Sequence, residues 1–466
     1  MIGKKEYIDL VQFAVDQAKK LGADAAEAFI SDSQSVQIYV SNRETEQVNA
    51  FSDVGIGLRL LKDQKMVFGS SNDLAKDSVK KLISDLMRKV FFHTVDEFNV
   101  IPGKESGFLS QEWSGLTDLL SYDPKITDVP IQEKIKRAIS LEVAGLDYSP
   151  KISGTMFVIY QDSATHIYLA NSNGISGWYP TSGCNGFVYI SAADGDDHQS
   201  GSYYQAKVNY DDFNPEEVGS KAAENAVRML GAKPIKSCEV PMVISPEVGT
   251  QILSYIVGML SADQVQKGKS LFAEKLETQV AAKFFNLIDD GKLAGGLVTS
   301  PVDGEGVPLQ TTPLIINGTL KNYLYDSYTA KKGNVKSTGN CSRGSYQSSC
   351  SIGNTNLYIQ QGAIRPETII SRIVNGFYLK DAIGLHAGID STSGDFSIPV
   401  AGFMIEQGEI AFPLRGISIG GNLFDFLKSV DNIADDLTWF GPLGCPTFSV
   451  ESIKLAGRVN ECRIWL

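Results

Sequence analysis

Histidine is the scarcest chemically useful residue in this chain: there are 4 in 466 residues, His93, His166, His198 and His386. Thr94, Ile167, Gln199 and Ala387 follow them, so no His-Glu pair exists and no helix can present two imidazoles to a metal. The same shortage argues against a serine or thiol hydrolase, whose nucleophile needs a base that is usually histidine. No G-x-S-x-G elbow or papain-like string is present around Cys341 or Ser345. The 6 cysteines (Cys184, Cys238, Cys341, Cys350, Cys445 and Cys462) include no C-x-x-C, which removes zinc ribbons and thioredoxin-like sites and leaves buried reduced thiols as the ordinary expectation. A positive excess is missing too. With 42 Lys and Arg against 54 Asp and Glu the net charge is −12, the wrong sign for a chain whose main work is gripping nucleic acid. Long apolar runs are absent: Ile252 to Leu260 is broken by Ser254 and Gly258, far short of a membrane span. The N-terminus leads straight into an amphipathic pattern without an apolar signal core, so a cytoplasmic location is expected.

The residues that are present sort into an α+β pattern. Ile8, Val11, Val15 and Ala18 predict a helix from Tyr7 to about Leu21, stopped by Gly22. Strands are expected around Ala28–Ile30, Val36–Val40, Ile56–Leu60 and Lys65–Gly69, then a helix from about Ala75 to Phe92 with Asp73 at its cap. Residues 95–128 read as an irregular excursion. A helix from Ile131 to Gly145 follows, and then a meander with strands at Thr155–Tyr160, His166–Asn171, Gly174–Tyr179 and Gly186–Ser191, the turn being Asn171-Ser-Asn-Gly174. Asn214-Pro-Glu-Glu predicts another helix, ending near Gly231. Beyond Lys233 many short strands with Gly-rich turns follow one helix, which Ser245-Pro246-Glu247 starts. The expected organisation is an N-terminal α+β domain (1–95), a connecting segment plus a second α+β unit (96–232), and a large, mostly antiparallel β domain with a few helices (233–466). The last includes a helix over 246–262.

A set of strings in fixed order carries a resemblance. It runs Asn171-Ser-Asn-Gly174, Ser261-Ala-Asp-Gln-Val-Gln-Lys-Gly268, Leu287-Ile-Asp-Asp290, Asp303-Gly-Glu-Gly-Val-Pro308, Ile316-Asn-Gly-Thr-Leu-Lys321 and Ser337-Thr-Gly-Asn340. It ends with Asn356-Leu-Tyr358, Ser393-Gly-Asp395 and Ile419-Gly-Gly-Asn-Leu423. Together they resemble the TldD/PmbA family, also described as modulators of DNA gyrase. Its two branches are similar to the two halves of a heterodimeric protease. The TldD-like branch carries HExxxH, histidines for the metal and a glutamate as general base. Here Ser254 and Tyr255 stand at the first His and the Glu, and Met259 at the second His. Neither a hydroxyl nor a thioether substitutes for imidazole on such a cation. The chain therefore resembles the PmbA/TldE branch.

The resemblance implies a non-catalytic subunit that binds no cofactor itself, with zinc in a TldD-like partner. Unfolded peptides would be the substrates, and any effect on gyrase would be indirect, through a toxin-antidote protein or a peptide-antibiotic precursor. Cys445 lies near where the metal-bearing branch supplies a thiolate, but one thiolate makes no zinc site. The helix around Ser254 reads either as a chamber-facing element or as a core stripe of Ile252, Tyr255, Ile256, Met259 and Leu260. Asp303 and Glu305 read as a cation or acid/base pair, or as turn formers. The small-residue loop with Asn340, Arg343 and Ser345 is a candidate for peptide or partner contact. The competing reading is a stand-alone peptide-binding adaptor that adds peptides as strands to its sheet edges, with a homodimer as one form when alone.

Overall fold

The computed structural model describes residues 4–103 and 121–457. Parts of the irregular excursion (Gly107 among them) and Cys462 lie outside the described residues. The first unit runs α1 (Lys4–Lys20), β1 (Ala25–Ser41), β2 (Glu44–Lys62), β3 (Lys65–Ser71) and α2 (Lys76–Lys89). After a short α3 (Lys125–Asp128) the second runs α4 (Ile131–Leu146), β4 (Ile152–Asn171), β5 (Ser176–Asp194), β6 (Asp197–Lys207) and α5 (Pro215–Arg228). Both are a three-stranded meander between two helices, and they share one antiparallel sheet in the order β3-β2-β1-β4-β5-β6. The seam pairs Glu27 with Asn171 through Tyr39 with Ile159.

The four strands expected between Thr155 and Ser191 are two long ones, β4 and β5. Polar residues that look like interruptions are satisfied in place: Asp162, buried in mid-strand, accepts from Lys134 Nζ at 2.8 Å and from Tyr160 Oη at 2.8 Å. A buried charge with those partners need not break a strand. The Asn171–Gly174 turn forms as read, with Asn171 Oδ1 accepting from the backbone of Asn173 and Ile175. At α2 the N-cap is Ala75 and not the expected Asp73, which accepts from Ala75 N at 3.0 Å just ahead of the helix; the start of α5 follows the sequence. Asn214 Oδ1 accepts from Glu217 N at 3.0 Å, and Pro215 occupies the first turn, where its missing N–H costs nothing.

Strand alternation decides what each face of this sheet meets. Ala26, Ala28 and Ile30 of β1, with Ile56, Leu58 and Leu60 of β2, pack under α1 and α2. Ile38 and Val40, of the same parity on β1, pack with β4, β5, α4 and α5. All four helices thus cover one face. The odd residues, Glu27, Phe29 and Ser31, look the other way, toward the C-terminal domain.

That domain holds β7 (Cys238–Ile244), α6 (Pro246–Leu260), α7 (Ala262–Gln266), β8 (Leu287–Asp290), β9 (Thr311–Ile316), β10 (Thr319–Leu320), α8 (Ser327–Gly333), β11 (Cys341–Ser342), β12 (Ser351–Ile352) and β13 (Leu357–Ile359). It continues with β14 (Asn375–Ala382), β15 (Asp395–Glu406), β16 (Glu409–Asn422), β17 (Val430–Ile433), β18 (Thr438–Phe440), β19 (Leu443–Cys445) and β20 (Phe448–Gly457). One sheet runs β16-β15-β14-β7-β20-β17, and a further β16–β20 pairing closes five of these strands into a ring. A second runs β10-β9-β8-β13-β19-β18, and β11 and β12 form a small ladder of their own. Most pairings are antiparallel; β14–β7 and β13–β19 are parallel. The tight turns are Asn317-Gly318 and Gln407-Gly408, all four residues at positive φ, as two-residue hairpin turns require. The largest hydrophobic core of the chain wraps α6 between these sheets.

Candidate functional site

Helix α6 starts where Ser245 Oγ accepts from Val248 N, with Pro246 in the first turn. Ile252, Leu253, Ile256, Met259 and Leu260 are buried in the core, Tyr255 is half-buried against it, and Ser254 and Gly258 are exposed. Of the three positions that stand in for HExxxH, Ser254 faces outward, its hydroxyl donating to Gln251 O, whereas Met259 is core. Cys445 is buried beside the first turns of α6: a Cβ on Gly249 would lie 2.3 Å from its Sγ. Among the described residues no group of three ligand-type side chains includes it, and one thiolate alone does not make a donor set that fits a zinc ion. The outer face of α6 ends at a cleft of about 520 Å³ whose walls include Gly258, Ser261, Asp263, Tyr328, Arg59 and Cys350.

Beside this cleft lies a buried ion network that joins the two halves of the chain. Glu27 and Arg59 are cross-strand partners on β1 and β2, and both point to the odd-numbered face. Arg59 Nε and Nη2 donate to the two oxygens of Glu27 at 3.0 and 2.6 Å, and Nη2 also reaches Glu305 Oε2 at 3.1 Å. Arg343, from the loop between β11 and β12, donates to Glu27 from the other side. The side chains of Glu27 and Arg343 are 0% and 1% exposed, so the pairing has no help from water. Two carboxylates and two guanidinium groups make the set neutral. Burial pushes Glu27 up, but Arg343 and Arg59 outweigh it and hold the carboxyl below its ordinary value.

Asp303 and Glu305 act differently despite being one residue apart. Asp303 ties its turn together, accepting from the backbone N–H groups of Glu305, Val307 and Cys341 at 3.0, 2.9 and 3.0 Å. Glu305 accepts from Ser327 N at 2.7 Å and pairs with Arg59. Asn340 donates to Asp289 Oδ2 at 2.7 Å and to Gly353 O at 3.0 Å, while Ser345 Oγ accepts from Gln347 N within the loop turn. The loop is pinned to the sheet by Tyr346, whose ring lies over Gly55 and whose N–H reaches Ser31 Oγ at 3.1 Å.

The structure therefore gathers Asp303, Glu305, Asn340 and Arg343 in one region and sets Ser345 in its loop. It adds Glu27 and Arg59, which sequence reasoning missed. The available signal was a charge inside each of two apolar strand runs, Ala25-Ala-Glu-Ala-Phe29 and Gly57-Leu-Arg-Leu-Leu61. Asn340 Oδ1, Arg343 Nη1 and Thr355 Oγ1 have no hydrogen-bond partner among the described residues, and all three residues line a cavity of about 220 Å³.

Three family models tile the chain: the PmbA/TldA metallopeptidase domain 1 over residues 26–89, the central domain over 124–230 and the C-terminal domain over 237–457. That succession defines the class, a three-part metallopeptidase-type scaffold. The chain belongs to the PmbA/TldD family, on its PmbA/TldE side. It is 24% identical over 459 residues to metalloprotease PmbA of Escherichia coli O157:H7, covering 96% of both chains. To a metalloprotease PmbA homolog of Haemophilus influenzae it is 24% identical over 462 residues, 97% of both. Among solved structures, a candidate modulator of DNA gyrase from Bacteroides thetaiotaomicron superposes with a TM-score of 0.88 at 24% identity. That match covers 98% of this chain and 100% of the other. TldE from Thermococcus kodakarensis superposes at 0.84 with 20% identity, covering 96% and 99%. These two share the fold.

Proposed function

We propose that this chain is the metal-less subunit of a two-subunit peptidase, helping a metal-bearing TldD-like partner to enclose and process unfolded peptides. The observation that carries the reading is α6: at the HExxxH positions it offers Ser254, Tyr255 and Met259, and Met259 is committed to the core. A helix so built cannot hold a catalytic metal, so the metal and general base come from the partner. The cavity lined by Asn340, Arg343 and Thr355 supports a peptide-contact role for that loop. A peptide unit brings both an N–H and a C=O to unpartnered buried groups. Any influence on DNA gyrase is then indirect, through processing of gyrase-directed toxin, antidote or antibiotic peptides. The test is to assay cleavage of a dye-labelled unfolded protein by this chain alone, by an HExxxH-bearing subunit alone and by the mixture, with metal content measured for each. Activity confined to the mixture, with metal only in the partner, is the expected result. Metal-dependent cleavage by this chain alone would overturn it.

A second reading, peptide capture by strand addition, is favoured by one feature: among the described residues β3 and β6 each pair on one side only in the N-terminal sheet. It expects peptide binding without any partner, and lysine or proline substitutions on those edges should abolish it.

A further inference from the structure

Among the described residues, Glu305, Cys341 and Cys350 are the one group of three ligand-type side chains whose donor atoms lie within 4.8 Å of one another. A dication is a poor occupant. Arg343 already donates to Cys350 Sγ through Nε at 3.3 Å and Nη2 at 3.2 Å, and Arg59 holds Glu305 at 3.1 Å. Two guanidinium charges against the donors repel a metal ion, but they suit a thiolate.

We propose that Cys350 and Cys341 are a redox-active dithiol, in which Cys350 attacks a small disulfide from the cleft beside α6 and Cys341 resolves the adduct into an internal disulfide. Three geometric facts carry this. The register of β11 and β12, Cys341 with Ile352 and Ser342 with Ser351, places Cys341 and Cys350 on the same face as diagonal neighbours. Cys350 is partly exposed and forms part of the wall of the 520 Å³ cleft, whereas Cys341 is buried behind it. Arg343 donates to the Cys350 sulfur through two of its nitrogens, and the Arg59 guanidinium adds its charge against that of the neighbouring Glu305 carboxylate. Burial pushes the Cys350 thiol up, yet the hydrogen bond from Cys341 and the charges of Arg343 and Arg59 prevail and hold it below the ordinary thiol value. Cys341 is pushed the other way, by burial and by that same hydrogen bond, so it remains the protonated partner.

The chemistry balances with a glutathione-type disulfide as oxidant. The Cys350 thiolate forms a bond to one sulfur of the reagent, whose S–S bond breaks and releases one thiolate. Cys341 gives its proton to that thiolate and attacks Cys350 Sγ. The protein S–S bond forms, the mixed one breaks, and a second small thiolate leaves. Two protein thiols are oxidised and one reagent disulfide is reduced.

The test uses the full chain, reduced and desalted, incubated with oxidised glutathione and followed by intact mass and peptide mapping. Wild-type protein should pass through a glutathione adduct on Cys350 and end two hydrogens lighter, with the Cys341 and Cys350 peptides joined. The adduct should form at least ~10-fold faster than on buried Cys184 or Cys445. Cys341→Ser should stop at the adduct. The proposal is overturned if native wild-type Cys350 reacts no faster than Cys184 and Cys445, or if the wild-type adduct persists as it does in C341S. It also fails if the reduced chain retains one zinc that shields both thiols. The first and last readouts need no variant to fold.

Discussion

Removing one charge from the buried network should cost far more than any surface ion pair, and Arg59→Met measures this. Methionine keeps much of the volume, so the change is mainly electrostatic. Arg59 supplies three charge-assisted hydrogen bonds, two to Glu27 and one to Glu305. Without it Glu27 keeps Arg343, but Glu305 keeps only the N–H of Ser327 and the set is left with a net buried negative charge. Breaking a buried pair on one side costs about 3–5 kcal/mol. The neutralising double variant Arg59→Met/Glu305→Gln should recover part of that loss, because Gln still accepts from Ser327. The coupling should be on the order of 1–3 kcal/mol. Urea unfolding followed by both far-UV circular dichroism and tryptophan fluorescence reads the effect. Glu27 and Arg59 lie on the N-terminal sheet while Arg343 and Glu305 come from the C-terminal domain, so R59M should also separate the two transitions. A loss below about 1 kcal/mol in R59M, or strict additivity in the double variant, would refute the claim that these charges hold each other.

Asp289 is pushed up to about 6 by burial, against the hydrogen bonds from Asn340 and Thr355. A carboxyl whose folded value lies above its unfolded one stabilises the fold while protonated. That contribution is present below the ordinary carboxylate range and is lost as pH rises through about 6. The wild-type minus Asp289→Asn difference in unfolding free energy should therefore shift by on the order of 3 kcal/mol across that window and stay flat above it. A difference that does not change with pH there would count against the assignment. Gly55→Ala should lower the thermal midpoint, since its Cβ would meet the Tyr346 ring at 2.2 Å; overpacking of this kind costs about 1–3 kcal/mol. The companion G55A/Y346A should fall less than the sum of its parts.

Local signals carried much of the fold. Caps at Asn214 and Ser245 and the Asn171–Gly174 turn are chemistry confined to a few adjacent residues, and the structure uses each as written. What periodicity could not show is that residues 25–71 and 152–207 share one sheet, because the β1–β4 seam joins positions more than a hundred apart. Asp162 misled for a related reason: its partner Lys134 sits on a helix, so a strand interior looked like a break. The candidate site divides in the same way. Asp303, Glu305 and Asn340 belong to motif strings, and Arg343 lies in the small-residue loop just after one of them, so all four were visible, whereas Glu27 and Arg59 gain meaning only when that distant loop arrives with Arg343.

The N-terminal sheet invites one more thought. Two helix–meander–helix units meet first strand against first strand, which is how two subunits of a symmetric dimer would join edges, here within a single polypeptide. The symmetry is broken in use. One copy lends β1 and β2 to the ion network, through Glu27, Arg59 and the bare backbone at Gly55. In the other copy, the position across the seam from Glu27 is Asn171, whose side chain serves its own turn. A doubled unit of this kind can give its two halves different duties at one boundary: the first meets the C-terminal domain through charge, the second through the apolar side chains of Leu169, Ile175 and Tyr179.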